Sequence, residues 1–300
     1  MFEKLLVPLD GSELAEVALP YAEELTGRLN SEVVLLHVSE SQEQVGSQMH
    51  ELYMSRLVEA VERGIQEYRR LSGIPEGEET KVESVVASGN PAEVIINYAE
   101  ANDIGLIIMA AHGRSGIGRW TVGSVADKVL RGSHIPVALI RAGGPRPVTR
   151  KKGLLTKALL PLDGSKVGEA ALPYVEELAI RLRTEVVLLQ IVQPKYVAIG
   201  AEPWDYSPYR AEWVTAMEQS ARAYLAGIEQ RLKAKGIVAS SRIESGGAAE
   251  RITEVAEQID ADVIAMSTHG RSGLARWALG SVADKLIHFG NIPLILVRAR

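Results

Sequence analysis

Asp10 and Asp163 each close a short apolar run and open the same tripeptide, in PLDGS at 8–12 and again at 161–165. A carboxylate in that place can accept hydrogen bonds from sugar hydroxyls, as acidic residues do in dinucleotide-binding folds. It can also close an Asx turn or a helix cap on its own backbone. The second constellation is glycine-rich. Ala110, Gly113, Gly123 and Ser124 follow A-x2-G-x9-G-S, and Ser267, Gly270, Gly280 and Ser281 follow S-x2-G-x9-G-S. Glycines let a backbone approach a ligand closely. A Gly-Ser pair that opens a helix presents free N–H groups and a dipole suited to phosphate. Arg114 and Arg119 would add positive charge, and Arg271 stands at the place of Arg114.

A plainer reading competes with this one. Ser124-Val125-Ala126-Asp127 resembles a capping box with Asp in place of the usual Glu or Gln, and Ser281 to Asp284 repeats it. On residue chemistry alone both readings stay open. His112 and His269 have no second ligand at metal spacing, so a hydrogen-bonded structural role is expected of them, and no metal site. His37 gives way to Gln190 in the second copy, so an imidazole is not needed in both. The chain has no G-x4-G-K-[ST] loop, no G-x-G-x-x-G fingerprint and no G-x-S-x-G elbow. No catalytic base can be assigned, and binding is better supported than catalysis.

The elements that must carry these residues are duplicated. KLLVPLDGSELAEVALPYAEELTGRLNSEVVLLHV matches KALLPLDGSKVGEAALPYVEELAIRLRTEVVLLQI, and the glycine loop with its helix returns further on. Residues 1–141 and 154–300 read as two domains, with the Gly-, Pro- and base-rich stretch 142–153 as linker. In the first copy, strands are expected at 5–9, 32–38, 81–87, 106–110 and 136–140. Helices are expected from Leu14 to Leu29 and over 47–72, 92–101 and 124–131. Runs such as VVLLHV and LIIMAA are apolar without alternation, as in strands covered on both faces. Strand–helix alternation then predicts a doubly wound α/β domain with a parallel sheet, repeated in tandem. Ligands of such sheets collect at the carboxyl ends of strands where the strand order reverses. That rule would set Asp10 opposite the glycine loop.

Composition limits the remaining classes. The chain has 300 residues, 46% hydrophobic and 24% charged, with a net charge of -5. A basic face for nucleic acid is therefore not expected. With no cysteine, disulfides and thiolate chemistry are excluded. No signal peptide and no membrane-length apolar run is visible, so a cytoplasmic protein is expected.

On these motifs the chain resembles a tandem universal stress protein, over essentially its whole length and in two copies. The resemblance rests on PLDGS, on EVVLLHV or EVVLLQI, and on HGRSG…GS followed by a helix and a final IPV or IPL strand. It implies a five-stranded parallel sheet of order 3-2-1-4-5 in each half. It also implies ATP or another adenine nucleotide, with Mg2+ as a companion ion, in the crevice between strands 1 and 4. ATP-binding members carry G-x2-G-x9-G-[ST]. By that pattern Asp10 and Asp163 meet ribose, with Pro8, Ser12, Pro161 and Ser165 beside them. The main chain of Val38 and Ile191 reads adenine. Ala110, His112, Gly113, Arg114, Gly123, Ser124 and Val125 hold ribose and phosphates, as do Ser267, His269, Gly270, Arg271, Gly280, Ser281 and Val282. The sequence departs at the first glycine, where Ala110 and Ser267 each add a Cβ; weakened or altered binding is expected there, in one half or both.

The resemblance further implies pairing through the last strand, either between the two halves of one chain or in a homodimer. The function expected is that of a nucleotide-binding regulatory protein of the stress response. A partner-binding module with a vestigial crevice, or a slow ATPase, is the alternative. Residues 194–213 hold Tyr196, Trp204, Tyr206, Tyr209 and Trp213, and read either as a contact surface or as a locally packed loop.

Overall fold

The computed structural model describes residues 1–39, 48–74, 81–112, 122–141, 153–193, 208–269 and 279–299. Gly113, Arg114, Arg119, Gly270, Arg271, most of the expected linker, and the aromatic residues at 196, 204 and 206 lie outside them.

The first half runs β1 (Lys4–Leu9), α1 (Glu13–Glu16), α2 (Leu19–Leu29), β2 (Glu32–Ser39), α3 (Gln48–Leu71), β3 (Val82–Ser88), α4 (Pro91–Ala101), β4 (Leu106–Ala110), α5 (Ser124–Gly132) and β5 (Val137–Ile140). The second half repeats the series. It runs β6 (Lys157–Pro161), a 3-10 turn (Gly168–Ala171), α6 (Leu172–Leu182), β7 (Glu185–Val192), α7 (Pro208–Ala234), β8 (Ala239–Ser245), α8 (Ala248–Gln258), β9 (Val263–Ser267), α9 (Ser281–Phe289) and β10 (Leu294–Val297).

One expected element is corrected. The apolar spacing from Leu14 to Leu29 predicts a single helix, whereas the chain breaks between α1 and α2. Pro20 has no N–H to complete a turn begun in α1, but it suits the first turn of a new helix, where no partner is needed. Pro173 starts α6 in the same way.

The strands form one sheet in the order β3-β2-β1-β4-β5-β10-β9-β6-β7-β8. Within each half the neighbours are parallel and the order is the doubly wound one. The halves meet at β5 and β10, which pair antiparallel through Leu139 with Leu294, Ala138 with Ile295, and Val137 with Leu296. Two apolar layers sandwich the sheet, and each runs through both halves. Odd positions of β1 and β2, such as Leu5, Val7, Val33 and Leu35, face α2, α3 and their counterparts. Leu6, Val34, Leu36 and Ile107 face α4, α5, α8 and α9. Burial on both faces is why these strands lack alternation.

Opposite faces of the sheet also carry the polar contacts between halves. Arg28 donates to the oxygen of Leu182 at 2.6 Å, and Arg181 donates to the oxygen of Leu29. Beyond the other face, Arg131 of α5 bridges Asp127 of its own helix at 2.9 Å and Asp284 of α9 at 3.1 Å. No helix among the described residues is long and apolar enough to cross a membrane.

Candidate functional site

The site begins where two strands part. β1 pairs with β2 along its whole length, from Lys4 to Leu9. Against β4 it pairs only through Leu5 with Leu106 and Leu6 with Ile107. Beyond those residues the carboxyl ends diverge, because the chain leaves β1 toward one face and β4 toward the other. The second half repeats this, with β6 and β9 joined only through Ala158 with Val263 and Leu159 with Ile264. Each reversal point opens a crevice, of about 470 Å³ in the first half and about 630 Å³ in the second. Both volumes suit a small organic ligand.

On one wall stands the Asp-Gly-Ser turn. Asp10 Oδ1 accepts from the Ser12 amide at 3.0 Å and from its hydroxyl at 2.6 Å. Ser12 Oγ in turn caps α1 by accepting from the Ala15 amide at 3.2 Å. Gly11 lies at a φ of 81° and Gly164 at 80°, where a side chain would be strained. Asp163 and Ser165 repeat the same bonds at 3.0 and 2.6 Å. The two readings of these aspartates are thus compatible: the turn that engages Oδ1 also fixes the half-buried carboxylate at the crevice.

The opposite wall is the start of α5, and in the second half of α9. Gly123 and Gly280 are the cap residues, and neither helix start has a side-chain cap. The capping-box reading is therefore corrected: Ser124 and Ser281 are the first helical residues, not the caps. Asp127 turns to Arg131 instead of back to the helix start. The Gly123 amide donates to the oxygen of Ala111 at 2.8 Å, as Gly280 does to Thr268. The first residues of each helix, Ser124 to Ala126 and Ser281 to Ala283, line the crevice, and the amides of a helix start have no intrahelical partner, which suits anions.

In the first crevice the structure gathers Pro8, Asp10, Val38, Ala110, His112, Gly123, Ser124 and Val125. The counterparts Pro161, Asp163, Ile191, Ser267, His269, Gly280, Ser281 and Val282 line the second. Ser12 and Ser165 stand behind the aspartates and act on them. Ala110 and Ser267 both border the space, so the Cβ that departs from the glycine pattern lies at the crevice itself. The Ser267 hydroxyl accepts from the His269 amide at 3.4 Å. His269 Nδ1 lies 2.9 Å from the Thr268 hydroxyl. The Nε2 atoms of His112 and His269 are buried and have no hydrogen-bond partner among the described residues. Burial, and after it the charge of Arg141, holds the His112 imidazole below its usual range and hence neutral near pH 7.

Several lining residues are not apparent from the motifs. His37 bonds the oxygen of Leu9 through Nδ1 at 3.1 Å, and its ring lies 4.7 Å from that of His50 on α3. In the second half Gln190 and Met217 line the crevice instead. The pairing of His37 with Gln190 in the repeat was the available signal. Residues from α3 and α7 had none, because the unequal segments before these helices hide their register.

The fold and the sequence match one family throughout. The universal stress protein family model matches residues 1–141 and 155–298, and the chain belongs to that family. The universal stress protein YxiE of Bacillus subtilis is 31% identical over 153 residues, covering 47% of this chain and all of that protein. A universal stress protein of Mycolicibacterium smegmatis is 24% identical over 306 residues, covering 99% of this chain and 97% of the other. Among solved structures, a universal stress protein of Archaeoglobus fulgidus covers 99% of both chains at 22% identity, with a TM-score of 0.66.

Proposed function

We propose that each half, 1–141 and 154–300 joined by 142–153, is an adenine-nucleotide-binding domain, and that the chain is a cytoplasmic regulator of the stress response whose ligand is ATP or a close relative. One observation carries this reading. An anchored carboxylate and a helix start without a side-chain cap face each other across a ligand-sized crevice, and the arrangement occurs twice. The carboxylate suits ribose hydroxyls and the helix amides suit phosphates. Among the described residues no cluster of three or more His, Asp or Glu could hold a metal, so Mg2+ would arrive on the phosphates. The pairing of β5 with β10 within the chain would stand in for pairing with a partner subunit. Denaturing the freshly purified protein and identifying the released small molecules by mass spectrometry tests the reading, together with calorimetric titration with ATP and magnesium. Adenine nucleotide or binding heat is expected; neither one in a folded sample sinks it.

A further inference from the structure

The two crevices share their walls but differ at one end. At the register position of His37, the second half carries Gln190, which is 9% exposed and lines the space. Its Oε1 atom is buried and has no hydrogen-bond partner among the described residues. His37, by contrast, is tied to the Leu9 oxygen. A buried carbonyl oxygen left without a donor is costly, and native structures rarely leave one so. An N–H group on a ligand in the crevice would satisfy it.

The position of Gln190 says which part of a ligand that is. The strands run in the order β9-β6-β7, with the α9 start beyond β9, Asp163 at the end of β6, and Gln190 on β7. Adjacent strands lie about 4.8 Å apart, so β9, which leads to the α9 start, and β7, which carries Gln190, are roughly 10 Å apart. Phosphate, ribose and base follow in that order over a similar span. The crevice that Gln190 lines has apolar walls, among them Ile191, Met217, Ile252 and Met266. Such walls suit a flat heteroaromatic ring.

We infer that Gln190 sets the ligand selectivity of the second half, by requiring a base that presents an N–H donor, as the 6-amino group of adenine does. A carboxamide can accept from that amino group and donate to an adjacent ring nitrogen, a pairing well matched to adenine. The first half, with His37 in this place, makes no such demand, so the two halves of one chain discriminate differently. This inference rests on the nucleotide reading above.

The methionines separate the two sites in one experiment, because Met109 lines the first crevice and Met217 and Met266 line the second. The full chain with carbon-13 methionine methyl groups is titrated with ATP and with purine riboside triphosphate, which lacks the 6-amino group. At Met217 and Met266 the preference for ATP should exceed that at Met109 by on the order of tenfold. Gln190→Leu should remove that excess, mainly by improving binding of the amino-free analogue. Gln190→His, which installs the residue of the first half, should do the same and covers the case of a Leu variant that does not fold. Equal preference at the two sites, or an excess that persists in both variants, overturns the inference while the nucleotide reading stands. ATP shifts at Met109 alone also overturn it. Shifts at none of the three methyls refute the nucleotide reading itself.

Discussion

Arg28 donates through Nη2 to the main-chain oxygen of Leu182, 2.6 Å away in the other half of the chain. Arg181 returns the same bond to Leu29, so the contact has a local two-fold symmetry that the duplication implies. Its surroundings are not symmetric. Arg28 also holds Glu24, whose side chain is fully buried, at 2.7 Å. Arg181 holds Glu177, which retains solvent contact, at 3.3 Å.

The unequal surroundings predict unequal costs. Arg28→Ala takes the cationic partner from the buried Glu24 carboxylate, which keeps the Leu154 amide, and should destabilise by about 3 kcal/mol. Arg181→Ala breaks a solvated pair and one backbone bond, and should cost about 1 kcal/mol. Equilibrium denaturation of the two variants compares them; equal losses would contradict the account.

Glu24 gives the pH dependence its sign. Burial raises its carboxyl above the usual value, although the Leu154 amide and Arg28 oppose the shift. A raised pKa means that the folded state holds the proton more tightly than the unfolded chain. Its stabilising contribution is full below the ordinary carboxyl value of about 4.3 and is lost as pH rises through the raised one. Glu24→Gln should flatten the stability profile over that window. Melting curves at closely spaced pH values would show it, and a profile unchanged by the substitution would refute it.

Asp10→Ala and Asp163→Ala should each weaken nucleotide binding in their own half by roughly tenfold to a hundredfold. Each removes the acceptor of the Ser12 or Ser165 turn, so a stability loss of about 1 kcal/mol should accompany it. Calorimetry paired with circular dichroism separates the two effects. Full affinity in a folded double variant would end the ribose assignment.

Gly168 and Ala15 occupy matching places with different tolerance. A Cβ on Gly168 would stand 2.3 Å from Asp163 Oδ1, whereas the first half already carries alanine. Gly168→Ala should push the carboxylate off its turn and weaken binding several-fold in the second crevice only. Methionine methyl shifts at Met217 and Met266, with Met109 as the internal control, would report it. An equal effect at Met109 would count against a local cause.

Much of this molecule is readable without coordinates. Apolar runs without alternation identify the buried strands, the repeat sets out two halves, and Asp10, Gly123 and their copies mark the site. These are local properties: each depends on residues within a few positions of one another, where backbone geometry and hydrogen bonding act directly. What covers a buried face or meets a strand edge is set by crossovers that bring distant segments together, and periodicity does not encode that choice. Only the tertiary structure decided that Gly123 rather than Ser124 caps α5, since Asp127 is drawn to Arg131. It sets β5 beside β10 in a continuous sheet, where two edge strands satisfy each other's backbone groups. It alone placed His50 beside His37, and buried the Gln190 Oε1 atom without a hydrogen-bond partner among the described residues.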